Sequence, residues 1–306
     1  MRKPVLAVVV TFNPDLNALT RTLSILNGQQ SDVLVVDNGS SNFVKIRAKL
    51  TTSTEVELLP LNANLGLGAA HNAGIRFART KGYEYVLLMD QDSIPLDHMV
   101  QRLLEAHRAK STHQKLSAVG VTYLNADNGS ESFFVRFGWL KFQRHYCAER
   151  DSDGCVLADF LISSGSLISL ATLEKVGEMD EGLFIDHVDT EWFLRARNLG
   201  YHAFGVCDAV MQHGLGEQTH RVTLGRRQRN VPQHKPFRYY YIFRNSVLLY
   251  RRAYASGVWK WNDLQRLAMI AVMFGLLKSP RRANLTMMLR GFWHGIRGVT
   301  GPYSDA

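Results

Sequence analysis

An α/β architecture is what this sequence predicts: a mostly parallel, Rossmann-like sheet flanked by helices, followed by a helical, basic C-terminal region. Three observations carry that expectation. Short apolar runs at Val5–Val10, Val33–Val36 and Tyr85–Met89 have the length and composition of strands buried on both faces. Segments of helical length separate them, which is the alternation of right-handed βα units around a parallel sheet. The charge is also divided, with 16 Lys and Arg against 2 Asp and Glu in residues 221–306, leaving 20 against 25 in residues 1–220.

At 306 residues the chain can bury a large core. Its three cysteines, Cys147, Cys155 and Cys207, lack metal-type spacing and are expected to be plain core residues in a reducing cytosol. The N-terminal MRKPVLAVVV runs straight into strand signals and is too short in its apolar part for a signal peptide. A basic tail behind a mildly acidic body implies an anionic partner: phosphate, a membrane surface or nucleic acid.

The first strand is broken by Thr11-Phe12-Asn13-Pro14, after which Leu16, Leu19, Leu23 and Leu26 follow helical spacing. The second ends in Asp37-Asn38-Gly39-Ser40-Ser41, a turn-rich loop with a carboxylate at the strand tip. A weaker strand at Glu55–Leu59 leads to Asn62–Gly74, a glycine-punctuated start to a helix that runs to about Thr80. Its glycines do not form G-x-G-x-x-G and follow the third strand, so a dinucleotide oxidoreductase is not indicated. They still allow close backbone approach, and the helix start favours anions.

The next strand ends abruptly in Asp90-Gln91-Asp92-Ser93. Ligands of open α/β sheets collect beyond the carboxyl ends of the strands. Extended backbone points residues i and i+2 the same way, so both carboxylates can reach one cation. Two hard oxygen ligands with open positions suit Mg2+ or Mn2+ shared with a phosphate-bearing substrate. The competing expectation is a solvated turn capping a helix that starts near Pro95. A helix is expected over about Leu96–Ala109 and a strand over Ala118–Leu124, then short strands and loops through residue 157.

Phe160–Ile168 reads as a strand around a Ser-Ser-Gly-Ser kink, small enough for a substrate to approach or simply a β-bulge. Asp189 lies at or beside the start of a helix ending before Gly200. It can serve there as a cap, as a general base held ionised by the helix terminus, or both. Tyr201–Val210 reads as a strand followed by Gln212-His213-Gly214, and Leu215–Arg238 as a mobile loop able to close over a diphosphate.

The set VVVTFNP, VVDNGSS, NANLGLGAAHNAGI, LLMDQDS, SSG, FIDHVDTEWFLRA, QHG and RYYYIFRN, in this order, resembles glycosyltransferase family 2 over roughly residues 5–250. The likeness is to inverting nucleotide-sugar enzymes of GT-A fold, closest to their bacterial rhamnosyltransferase branch. It implies that Thr11, Asn13, Asp37, Asn64, Gly66, Asn72 and Gln91 bind the nucleotide, and that Asp90, Asp92 and His213 hold Mg2+ or Mn2+. It implies Asp189 as the catalytic base, Ser164, Gly165, Glu191 and Trp192 as sugar contacts, and Arg238 and Arg244 as diphosphate contacts. Val188 stands where the family often has Glu, a mark of the rhamnosyltransferase branch. The expected donor is dTDP-β-L-rhamnose and the acceptor a lipid-linked surface glycan. The alternatives are another donor, galactofuranosyl or hexosyl, and a catalytically silent glycan-binding relative.

Residues 1–237 are expected to form the catalytic domain and 238–306 a helical, membrane-associating region. The apolar run Leu267–Leu277 is 11 residues long, too short to span a bilayer. Trp259, Trp261 and Trp293 among basic residues fit an in-plane contact with an anionic membrane. This predicts a cytoplasmic protein, peripheral on the inner face of the bacterial plasma membrane. No nucleic-acid-binding motif accompanies the charge.

Overall fold

The computed structural model of the protein describes residues 3–53, 56–125, 129–213, 219–224 and 227–304. A nine-stranded sheet forms its centre. Strands β1 (Val5–Thr11), β2 (Ser31–Asp37), β3 (Glu57–Pro60) and β4 (Tyr85–Asp90) make a parallel half in the order β3-β2-β1-β4. The chain runs outward from β1 to β3, then returns to the other side of β1 for β4. The switch point therefore falls between β1 and β4, where open α/β sheets bind ligands. Helices α1 (Leu16–Asn27), α2 (Phe43–Ser53) and α3 (Leu67–Lys81) make the crossovers.

Beyond Asp90 the local pattern gives way to tertiary pairing. Gln91 and Asp92 form a turn, and Ser93–Pro95 is a short strand, β5, rather than the start of a helix. Helix α4 begins only at Met99 and ends at Ser111. The turn, not strand alternation, therefore sets the relative directions of Asp90 and Asp92. Strand β6 (Leu116–Asn125) follows; a hairpin of β7 (Phe134–Phe137) and β8 (Phe142–His145) lies off the sheet. The expected strand over 160–168 shortens to β10 (Ser166–Ser169), inserted antiparallel between β4 and β6, after β9 (Cys155–Ala158). Helices α5 (Leu170–Val176) and α6 (Val188–Asn198) lead to β11 (His202–His213). It is parallel to β6 and antiparallel to both β5 and β9.

Where a loop was expected at 215–238, the described residues form a hairpin of β12 (Thr219–Leu224) and β13 (Arg227–Pro232). Helices α7 (Pro236–Tyr250), α8 (Gly257–Ile270) and α9 (Arg281–Arg297) complete the chain, with a π-helical segment Ala271–Leu277 continuing α8. Cys147 and Cys207 are disulfide-bonded instead of being independent core residues; Cys155 is free and buried.

Strand alternation feeds two cores. Val5, Ala7, Val9, Leu87 and Met89 pack with α1, α2 and α4 on one face. Leu6, Val8, Val10, Val86 and Leu88 pack with α3, α5 and α6 on the other, together with Leu248, Leu249 and Trp259 from the C-terminal helices. A third, smaller cluster joins Tyr239, Phe243, Phe274 and Met288.

Candidate active site

The carboxyl ends of the parallel strands carry a row of polar residues. Register places Thr11 opposite Asp37 and Val10 opposite Asp90. Thr11 Oγ1 donates to Asp37 Oδ1 at 3.2 Å, and Asp37 Oδ2 accepts from Ser40 N at 3.0 Å. Asn13, in left-handed backbone at φ 49°, donates through its N–H to Ser40 Oγ and accepts from Ser41 N at Oδ1, each at 2.8 Å. Asn38, not singled out in the sequence, ties this loop to the next: its Nδ2 donates to Asn64 Oδ1 and its Oδ1 accepts from Leu65 N. Gln91 Oε1 accepts from Phe12 N at 2.8 Å. The result is a cradle over the β1–β4 switch point. Thr11 and Asp37 are nearly closed to solvent and brace it from behind, whereas Asn13 and Asn64 are exposed on it.

A turn at Ser163-Ser164-Gly165 connects this cradle to Asp189. Asp90 N donates to Ser164 Oγ at 3.0 Å, and Ser164 Oγ lies 3.1 Å from Ser93 Oγ. Ser163 N donates to Asp189 Oδ2 at 3.4 Å. The Tyr123 hydroxyl donates to the Ser164 carbonyl. Burial holds the Tyr123 proton well above the ordinary range, reinforced by the negative charges of Asp90 and Asp189. Tyr123 was missed in the sequence, although its signal is that of Thr11 and Asp37: a polar group near the end of an apolar strand. Beside it opens an apolar cavity of about 270 Å³, walled by Phe133, Phe134, Phe160 and Ile162.

Gly165 makes the turn possible. Its φ is 74°, its N–H donates to Leu88 O at 2.7 Å, and a Cβ there would stand 2.3 Å from Val121 Cγ2. Gly165→Ala is expected to cost about 2–4 kcal/mol, from left-handed backbone plus overpacking. Thermal melting checks it; an unchanged melting temperature would mean that the turn tolerates a side chain.

Asp189 is the second residue of α6; the cap position belongs to His187, whose side chain makes no capping bond. Asp189 Oδ1 accepts from Thr190 N at 2.7 Å. Burial raises its pKa above the ordinary carboxylate value, opposed by the Thr190 and Ser163 N–H groups, with Asp186 adding to the rise. A carboxylate whose affinity for a proton is raised, yet which is still held by two donors, is suited to accept one.

The structure draws other expected site residues away from ligand. Glu191 is buried, ion-paired with Arg195 at 2.9 Å and bonded by Tyr254. Trp192 is fully buried and donates to Gly177 O at 2.8 Å. Both brace α6 and neither is placed to touch a sugar. Asn72 is spent on Met179 and Glu181 rather than a nucleotide. Gly66, at φ 92°, lets α3 approach Phe184, whose carbonyl lies 2.6 Å from where a Cβ would sit. That carbonyl also accepts from Leu67 N, which takes up a donor at the helix start. Arg244 is 0% exposed and donates to main-chain carbonyls, so it is no diphosphate ligand. Arg238 is ion-paired with Asp186 at 2.6 Å.

Asp90 ends β4 and Asp92 follows in the turn, and register sets His213 opposite Ser93. The His213 side chain lies outside the described residues, and among those described no three His, Cys, Asp or Glu side chains form a metal-holding group. Two carboxylates at a strand end fit a hard divalent cation.

The central, mostly parallel sheet flanked by helices is the fold of GT-A glycosyltransferases. Solved structures share it: Staphylococcus aureus TarS residues 1–349 aligns at TM-score 0.58 with 14% identity, over 95% of this chain and 80% of that one. GalNAc-T7, in a crystal structure with UDP, GalNAc and Mn2+, aligns at TM-score 0.54 with 14% identity, over 68% of this chain and 42% of that one. The family profile described as Glycosyl transferase family 2 matches residues 6–174, and the chain belongs to that family. It is a glycosyltransferase. Over 306 residues it is 29% identical to the dTDP-rhamnosyl transferase RfbF of Shigella flexneri, covering 98% of each chain. Over 110 residues it is 36% identical to an undecaprenyl-phosphate mannosyltransferase of Micrococcus luteus, covering 34% of this chain and 44% of that one.

Proposed function

We propose that the protein is an inverting rhamnosyltransferase that moves L-rhamnose from dTDP-β-L-rhamnose to a hydroxyl of a growing, lipid-linked glycan. The observation that carries the chemistry is the Ser163–Gly165 turn, which ties the Asp90 strand end to Asp189 through Ser164 Oγ and Ser163 N. The full-length likeness to a dTDP-rhamnosyl transferase supports the donor.

In this reading Asn13, Asn64 and Gln91 line the nucleotide cradle, with Thr11 and Asp37 behind them. Asp90, Asp92 and His213 would hold Mg2+ or Mn2+, which when bound neutralises charge developing on the departing diphosphate. Asp189 accepts the proton of the acceptor hydroxyl as that oxygen forms its bond to the anomeric carbon. The bond to the diphosphate oxygen breaks on the opposite face. One such displacement turns a β-linked donor into an α-L-rhamnoside, with no covalent enzyme intermediate. The test is a panel of nucleotide sugars assayed for transfer and for thermal stabilisation. dTDP-β-L-rhamnose is expected to give both; a stronger response to a galactofuranosyl or hexosyl donor would overturn the donor assignment.

We assign residues 1–237 to the catalytic domain and 238–306 to a region that docks peripherally on an anionic membrane. No helix among the described residues is long and apolar enough to cross a bilayer. Trp261 and Trp293 are 51% and 52% exposed, whereas Trp259 is 1% exposed and is a core residue rather than an interfacial one. Leu276, Leu277, Leu289 and Phe292 are also exposed, beside Lys278, Arg281, Arg282 and Arg290. Each basic residue near such a surface contributes about 1 kcal/mol, so Lys278→Glu with Arg281→Glu and Arg282→Glu is expected to weaken vesicle binding by a hundredfold or more, on the order of 3 kcal/mol. Co-sedimentation with vesicles containing anionic lipid measures this, and unchanged binding would refute the anchor.

A further inference from the structure

The turn that delivers Asp189 is strained and is held from outside itself. Phe184, Asp186 and His187 have φ of 65°, 63° and 63°, three non-glycine residues in left-handed backbone within four positions. Such backbone is disfavoured for any residue with a Cβ and persists only where the surroundings over-determine it. The surroundings here are the C-terminal helices. Asn245 Nδ2 lies 2.9, 2.8 and 2.8 Å from the carbonyls of Leu183, Ile185 and Asp186. The neighbouring Arg244 donates through Nη2 to Leu183 O at 2.8 Å and through Nε to Asn245 Oδ1 at 2.9 Å. Ser246 Oγ is 3.0 Å from His187 Nε2, and Arg266 Nη2 of α8 is 2.7 Å from the same nitrogen. Asp263, buried, holds Arg266 at 2.8 Å.

Three consecutive residues of one helix, all fully buried, thus address a single turn through polar bonds. An apolar helix would pack against the same core without them. Immediately after the turn α6 begins, and Asp189 is its second residue.

We infer that Asn245, with Arg244 and Ser246 on α7 and Arg266 on α8, are positioning residues that hold the strained 184–187 turn and thereby set Asp189 against the acceptor hydroxyl. The inference rests on Asp189 as the general base. It makes the helices beyond residue 238 part of the catalytic apparatus as well as the proposed membrane contact.

The test is Asn245→Leu, nearly isosteric but without donors, in the full chain. A misplacement of about 1 Å can cost about a hundredfold in rate. The expected result is a fall in kcat of about that factor with dTDP affinity unchanged, since Asn13, Asn64 and Gln91 bond to other loops and not to this turn. Adding Asp186→Gly, which removes the left-handed penalty within the turn, is expected to restore about tenfold relative to Asn245→Leu alone, with the Asp186→Gly single variant as the reference. A merely structural role predicts the opposite, because a second lesion should compound the first. An unchanged kcat in folded Asn245→Leu, or no recovery in the double variant, overturns the inference. Should Asn245→Leu fail to fold, Arg266→Gln carries the test from the partly exposed end of the network. A kcat fall of about tenfold at unchanged dTDP affinity supports the inference, and an unchanged kcat overturns it. Asp189→Asn assayed in parallel separates the two readings: near-normal turnover there removes the base itself, whereas its loss beside a fully active Asn245→Leu removes only the positioning role.

Discussion

Asp189→Asn is expected to lose about 10²–10⁴ in transfer rate while keeping its fold and nucleotide affinity. The amide can still accept from Thr190 N, but it cannot take the proton of the acceptor hydroxyl. The pH profile sharpens the test. Because burial raises the Asp189 pKa, the ionised form that transfer needs is complete only above that raised value. The rate should therefore fall as pH drops through a point above the ordinary aspartate value of about 3.9, and Asp189→Asn should lack this limb. The stability sign runs the other way. A carboxylate with a raised folded-state pKa destabilises the fold at neutral pH, so the uncharged variant should melt no earlier than the parent. Near-normal turnover in Asp189→Asn would move the base elsewhere. Glu191 is then a poor successor, being buried against Arg195 and Tyr254, which leaves Asp186.

Chelation should abolish transfer, and Mg2+ or Mn2+ should restore it, if Asp90 and Asp92 hold a cation against the diphosphate. Asp92→Asn should weaken donor binding when metal is present and leave metal-free nucleotide binding alone. A titration of dTDP with and without metal reads both effects. Full activity in excess chelator would remove the metal assignment without touching the base. The two results are separable because Asp189 bonds Ser163 and Thr190 directly and meets the Asp90 strand end only through Ser164.

Much of the parallel half of the sheet was legible along the chain. Val5–Thr11, Ser31–Asp37 and Tyr85–Asp90 are strands because their apolar runs can only be buried on both faces, and their terminal Thr11, Asp37 and Asp90 mark where the apolar requirement stops. Helix α2 was missed because its Phe43–Ser53 carries only a weak apolar face. Strand β5 was missed because three residues hold no period; it exists through pairing with β11, more than a hundred positions away.

Conserving a motif's residue types does not say which way they face. Glu191, Trp192, Asn72 and Arg244 sit in stretches that resemble the family's site, yet each is buried and bonded to protein. A guanidinium reads as an anion ligand in sequence. Arg244 becomes a main-chain support because α7 packs it against the Gly182 and Leu183 carbonyls. By itself the sequence determined the βα alternation, the carboxylates at the strand ends and the basic tail, since these follow from local period, composition and charge. Only the tertiary structure decided that Ser163–Gly165 joins Asp90 to Asp189, that the Tyr123 hydroxyl bonds to the same turn, and that α7 holds the 184–187 turn. Those contacts span tens of residues, and their geometry is set by how the sheet is ordered and what its two faces bury.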